Sequence, residues 1–276
     1  MTWKTAAIGI ACIVLVLVAV VGIRRWVNHA RIELVPVIVP AALPSSQVLD
    51  PSAQAIITRM AADARDAVHR PQRPRLAVLT FDDGPYPVTT PALLAQLRRL
   101  RVPAAFFVIG RDSIEQPALA QAMAGGPDDI GNHTLTHPEM ATIGSGPQYV
   151  EIADGARALH RATGRMPVFF RPPHGNFNAA TIDAARGNGE TVALWDVDPG
   201  DWRHVNSQFI VDNVTMHARA PAVILLHNGS VATIDALPAI VNAYRAAGFE
   251  FVTLSDLVRR VPLDEINTPV AVAVSQ

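Results

Sequence analysis

The chain has 276 residues, half of them hydrophobic, with a formal net charge of −1 and a single cysteine, Cys12. That length allows one large α/β domain or two small ones, and the near-neutral balance gives no electrostatic case for nucleic acid. One cysteine excludes an intrachain disulfide framework and thiolate zinc sites, so any metal must be held by histidines and carboxylates.

In chain order, residues 6–23 come first as an unbroken apolar run whose length suits a membrane span. No polar face marks it as a core helix. Lys4 precedes the run and Arg24 and Arg25 follow it, so the flanking charges do not set an orientation. No small-x-small site ends it, which favours an uncleaved anchor over a cleaved signal peptide. Residues 1–26 are therefore expected to anchor the chain in a membrane. Residues 27–72 read as a tether carrying Pro36, Pro40 and Pro44, then a helix with Ile56, Ile57, Met60, Ala64 and Val68 at helical spacing. Residues 261–276 read as a tail.

Between residues 73 and 260 strand and helix patterns alternate. Near-continuous apolar strands are expected at 76–81, 104–109, 129–132, 168–171, 191–196, 222–227 and 250–253. Helical spacing falls at 91–100, 149–163, 179–187, 207–218 and 238–246. Such βα alternation implies a parallel sheet covered by helices, either a barrel or an open doubly wound sheet. In both, ligands bind at the C-terminal ends of the strands. The polar residues collect there: Asp82 and Asp83, His133, Arg171, Asp198 and His227.

Asp82 and Asp83 close the run Leu76-Ala77-Val78-Leu79-Thr80-Phe81 and precede the turn Gly84-Pro85. Two carboxylates where a buried strand surfaces suffer desolvation and mutual repulsion, which a cation relieves. His133 and His137, at i and i+4, can offer two imidazoles to one ion. Alone, that spacing also fits two solvated histidines. Thr134, Thr136 and Pro138 favour a short turn over a long helix there. Two histidines and one aspartate leave open positions on an ion, and the set suits zinc, cobalt, nickel, manganese or iron. One aspartate of the pair can ligate while the other takes a proton from water. Arg171, fed by Val168-Phe169-Phe170, can hold that base by a charge-assisted hydrogen bond. His227 ends the strand Leu225-Leu226-His227 and fits a general acid, with Asp201 tuning it. Trp202 fits a pocket wall or a sugar-stacking surface.

This set resembles the polysaccharide deacetylase family, the NodB-homology domain of carbohydrate esterase family 4, over residues 75–256. Five motifs occur in order: Thr80-Phe81-Asp82-Asp83-Gly84-Pro85; His133-Thr134-Leu135-Thr136-His137; Arg171-Pro172-Pro173-His174-Gly175; Asp198-Pro199-Gly200-Asp201-Trp202; and Leu225-Leu226-His227. The resemblance implies a distorted (β/α)7 barrel that binds one divalent metal, zinc first. It implies Asp82 as base, Asp83, His133 and His137 as metal ligands, Arg171 orienting Asp82, His227 as acid, and Leu225 beside the acetyl methyl. His174 stands where the family usually has tyrosine; its backbone N–H is expected at the oxyanion, while its side chain alters the mouth. Asn228 follows His227 where an acid is common. The expected activity is metal-dependent removal of N-acetyl groups from an amino-sugar glycan, with the domain extracytoplasmic. The rivals are an O-acetyl xylan esterase, a lipid-linked aminosugar deformylase, and a catalytically silent glycan-binding envelope protein.

Overall fold

A computed structural model describes residues 74–261. The expected anchor, tether and helix, and all of the tail beyond Val261, lie outside the described residues. Among those described, no helix is long and apolar enough to cross a membrane.

Seven strands form one all-parallel sheet: β1 (Leu76–Asp82), β2 (Ala104–Val108), β3 (Asp129–Asn132), β4 (Phe169–Phe170), β5 (Thr191–Val192), β6 (Ala222–His227) and β7 (Glu250–Phe251). Its order is β5-β4-β3-β2-β1-β6, with β7 paired to the first two residues of β1. Past β5 the chain swings over to β6: Val197 bridges Ile224, and the Leu225 N–H donates to the Val197 carbonyl at 2.9 Å. The sheet is thus curled, with its two ends brought together at that bridge. The helices are α1 (Thr89–Leu100), α2 (Gly110–Glu115), α3 (Pro117–Ala124), α4 (Ser145–Thr163), α5 (Ala179–Gly187), α6 (Ser207–Met216), α7 (Val231–Ala246) and α8 (Leu254–Arg260).

Alternation along the strands assigns each residue to one of two layers. Ala77, Leu79 and Phe81 of β1 join Phe106, Leu93, Leu97, Leu237 and Ile240 in the core beneath the helices. Leu76 and Val78 face the other way, onto Ala105, Phe107, Phe169, Ala193 and Val223. Burying each large side chain contributes roughly 1.5–3 kcal/mol. The Phe81 and Phe106 rings, stacked at 5.7 Å, add to that on the helix side. Continuing the second parity upward leads from β1 to Thr80 and Asp82, from β4 to Arg171, from β5 to Trp195, and from β6 to Leu225 and His227. The layer that is apolar at the bottom becomes polar at the top.

All seven expected strands are present, although the one expected over 191–196 is only Thr191–Val192. Its remainder leaves β4 to pair with β6, and the Asp196 N–H donates to the Val223 carbonyl at 2.8 Å. The helix expected over 238–246 begins at Val231. Ser230 caps it by accepting from the Thr233 N–H, and Pro238 lies inside it. A proline in the interior costs one backbone hydrogen bond, and here packing of Ala236, Leu237, Ile240 and Val241 outweighs that loss. Helices α2, α3 and α8 did not stand out in the sequence, because six to eight residues carry barely two turns of periodicity.

Candidate active site

Register puts two of the chemical groups at one level. Asp82 is the β1 residue paired directly with His227 of β6. Both point to the same side of the sheet, so a carboxylate and an imidazole face one cavity of about 290 Å³.

The neighbouring carboxylates are separated by a backbone reversal. Asp82 is in the strand; Asp83 has left it with φ of 73°, its N–H donating to the Phe107 carbonyl at 3.0 Å. A left-handed conformation is costly for aspartate, and such costs concentrate at functional sites. Asp82 Oδ1 accepts from Arg171 Nη1 at 2.7 Å. Arg171 is fully buried and each part of its guanidinium is engaged. Nη1 also donates to Thr80 Oγ1, Nε to the Ala193 carbonyl and Nη2 to the Leu194 carbonyl. Its Cζ lies over the Phe107 ring, 4.0 Å from the centroid. Arg171 therefore fixes one oxygen of Asp82 and leaves Oδ2 toward the cavity, 3.8 Å from His133 Nε2.

Asp83 Oδ1 lies 3.7 Å from His133 Nε2 and 3.4 Å from His137 Nε2, and the three ligand atoms fall within 4.8 Å of one another. His133 directly follows β3. Its Nδ1 lies 2.8 Å from the Arg171 carbonyl, so the ring donates there and turns an Nε2 lone pair inward. The segment up to His137 is a turn, as its threonines implied, with Thr134 and His137 both at positive φ. Gly110 and Arg111 N–H groups hold the Thr134 and Leu135 carbonyls, and the Glu151 carboxylate accepts from Thr136. Gly155 of α4 permits this close approach, since a Cβ there would sit 2.5 Å from Asn132 Oδ1.

Burial pushes the Asp83 carboxyl up, only partly countered by the charge of His133. Burial likewise pulls His133 and His137 down, which keeps both rings in the neutral form a metal needs. Asp83 Oδ1 is buried and has no hydrogen-bond partner. An orphaned carboxylate oxygen facing two imidazole lone pairs is a donor set that fits one divalent cation.

The opposite wall is built around His227. Its Nδ1 lies 2.7 Å from Asp201 Oδ1, and its backbone N–H donates to Asp201 Oδ2 at 2.8 Å. Thr233 Oγ1 also donates to Oδ2, at 2.6 Å. Burial alone would pull the imidazole down. The hydrogen bond and charge of Asp201, with the charges of Asp82 and Asp83, outweigh that and raise it to about 9. His227 is thus held protonated at neutral pH with Nε2 directed at the cavity.

His174, Trp202 and Leu225 also line the cavity. The His174 ring stands edge-on to His137 at 5.0 Å between centroids. Asn228 follows His227 at the end of β6. It is buried beneath the turn, where its N–H donates to the Asp82 carbonyl and its side chain accepts from Thr90. Every site residue expected from the sequence therefore meets at one cavity or supports it. Among the contributors that escaped that reading are Trp195 in the wall, Thr80 beneath Arg171 and Thr233 beneath Asp201. Trp195 was legible, since it shares the parity of Ala193.

A family model described as polysaccharide deacetylase matches residues 69–193. The chain is 33% identical over 194 residues to a peptidoglycan-N-acetylglucosamine deacetylase of Bacillus cereus, covering 68% of this chain and 91% of that protein. It is 35% identical over 185 residues to a chitooligosaccharide deacetylase of Sinorhizobium fredii, covering 67% and 83%. Among solved structures, the peptidoglycan deacetylase PdaC from Bacillus subtilis superposes with a TM-score of 0.62 at 32% identity, covering 67% of this chain and 90% of that one. The matched stretch of the family model holds Asp82, Asp83, His133, His137 and Arg171, the half of the cavity that the geometry singles out, and with these relatives it makes the chain a hydrolase of the polysaccharide deacetylase family, NodB homology, carbohydrate esterase family 4.

Proposed function

We propose that this chain removes N-acetyl groups from amino-sugar residues of peptidoglycan, chitooligosaccharide or poly-N-acetylglucosamine type, using one divalent ion held by Asp83, His133 and His137. The observation that carries this reading is the orphaned Asp83 Oδ1 facing two imidazole nitrogens, between an arginine-pinned carboxylate and a protonated histidine.

When bound, the ion supplies Lewis acidity to the amide oxygen and to a water molecule. Asp82 Oδ2 accepts the proton of the attacking water; its other oxygen, locked by Arg171, keeps it in one orientation. His227 delivers a proton to the departing amine, and Asp201 holds the ring for that transfer. The His174 peptide N–H is the proposed donor to the developing oxyanion. Leu225 and Trp195 wall the end where the acetyl methyl lies, and Trp202 presents an exposed indole to a sugar. Zinc suits the ligand set, as do cobalt, nickel and manganese. Residues 6–23 are proposed to anchor the chain in a membrane with the catalytic domain extracytoplasmic.

Acetate release tests the reading, measured on chitooligosaccharide, peptidoglycan, poly-N-acetylglucosamine and acetylxylan with and without chelator. Release from an N-acetylated glycan, lost with chelator and restored by metal, is expected. Release from acetylxylan alone would favour the esterase, formyl specificity the deformylase, and no release from any substrate a silent glycan-binding protein.

A further inference from the structure

The turn Asp201–Arg203 presents Trp202 to the cavity, and the residue after it has a placement that the reaction itself does not require. The Arg203 guanidinium lies over the Trp202 ring, 4.8 Å from its centroid. Its stem crosses Gly200, where a Cβ would come within 3.3 Å of Arg203 Nε. Gly200 and His204 bracket the turn in left-handed conformations, with φ of 69° and 57°. The guanidinium is thus held by stacking on one side and backbone on the other.

Arg203 is exposed, and its hydrogen-bonding edges meet solvent and no protein acceptor among the described residues. Among the described residues no carboxylate lies within 4.0 Å of Arg203, and its side chain donates no hydrogen bond. Other arginines serve evident purposes: Arg75, Arg165 and Arg245 donate to carbonyls, and Arg111, Arg186 and Arg260 meet carboxylates. Of the arginines that lack an acceptor among the described residues, Arg203 is the one stacked on a cavity-lining side chain. A planar fork of donors, oriented in advance and left without an acceptor, matches a carboxylate better than a neutral hydroxyl. Because Arg203 covers one face of the indole, the sugar is left the other, and a carboxylate on the same glycan can reach the edge of the guanidinium.

We infer that Arg203, oriented by Trp202, is a specificity-determining residue that recognises a carboxylate carried by the glycan near the sugar being deacetylated. This rests on the proposed deacetylase reading and narrows it to acidic glycans, such as those with lactyl ether, uronic acid or peptide carboxylates.

The test compares two N-acetylated strands of equal length, one bearing free carboxylates and one with the same carboxylates amidated. Wild type should prefer the free-carboxylate strand. In Arg203→Ala that preference, the ratio of the two kcat/KM values, should fall about tenfold, as for one partly exposed charge-assisted contact, through KM rather than kcat. Arg203→Lys should recover part of it, keeping the charge but losing the fork. An unchanged ratio in Arg203→Ala, or equal losses on both strands, overturns the assignment and leaves Arg203 a prop for Trp202. Turnover by wild type with no carboxylate preference overturns it alone. No turnover on any glycan, in any metal, overturns the deacetylase reading and this inference with it.

Discussion

On one wall of the cavity, burial drives His133 and His137 toward the neutral form, and their ring nitrogens converge on Asp83. On the other, His227 is also largely buried, yet the Asp201 carboxylate beneath it holds it protonated up to about 9. The residue type is the same and the rings line one cavity. Two things differ: His133 is the more deeply buried, and its Nδ1 meets a neutral backbone carbonyl where that of His227 meets a carboxylate. A carbonyl orients an imidazole and leaves it a ligand, whereas a buried carboxylate charges it and makes it an acid. Environments that push like groups apart support the proposed roles of metal ligand and proton donor.

The harshest way to break the comparison is to remove a proposed ligand. His133→Ala should reduce acetate release to background and bring metal content, by elemental analysis, below one ion per chain. Full metal content in His133→Ala combined with His137→Ala would remove these residues as ligands. Asp82→Asn comes next. It keeps the shape and the arginine contact but cannot take a proton, so turnover should fall by roughly 10²–10⁴ with metal retained. Loss of the metal in Asp82→Asn but not in Asp83→Asn would reverse the two roles.

A milder change tests the charge of the acid wall. With His227 as the proposed acid, activity needs its protonated form, which is lost as pH rises through its raised value of about 9. Asp201→Asn removes the dominant upward pull while burial continues to push down. The alkaline limb of kcat/KM should therefore move toward neutral pH; an unmoved limb would mean that another group sets it. A cation on Asp83 lowers the starting position somewhat and leaves the direction of the shift unchanged.

The smallest expected effect lies behind the ligand wall. Glu190, buried between Asn132 and Asn188, is pushed well above its usual range by burial. Asn132 precedes His133 and its carbonyl accepts from the Arg171 N–H, so this carboxyl lies behind the proposed metal side. A carboxyl raised by folding binds its proton more tightly in the native state. Stability is then greatest below the unfolded value and declines as pH rises from there toward the folded one. Glu190→Gln should flatten that decline and raise the unfolding midpoint at neutral pH with activity kept. Glu190→Ala should cost about 1–3 kcal/mol by stranding Asn132. A lower midpoint in Glu190→Gln would mean that the carboxyl is ionised in the fold.

The strand ends were legible because apolar runs terminating in Asp82, Arg171 and His227 break the pattern abruptly, and a buried charge demands a purpose; His133 was legible through its spacing to His137. Strand parity would have added Trp195. The supports were less legible. Glu190, Thr233 and Glu151 lie on helices or loops far along the chain, and only the three-dimensional path brings them beneath Asn132, Asp201 and Thr136. Helices α2 and α3 likewise depend on packing rather than on their own spacing. The run at 6–23 is as plain in the sequence as any motif and lies outside the described residues.

The division between the two walls is tested most directly in His227→Ala, by measuring metal binding and acetate release on one preparation as metal is returned after chelation. The account predicts that the variant takes up one ion per chain with wild-type affinity while acetate release from an N-acetylated glycan falls by roughly 10²-fold or more, the ordinary weight of a general acid. Loss of the ion from His227→Ala, or wild-type acetate release from the loaded variant, would contradict it.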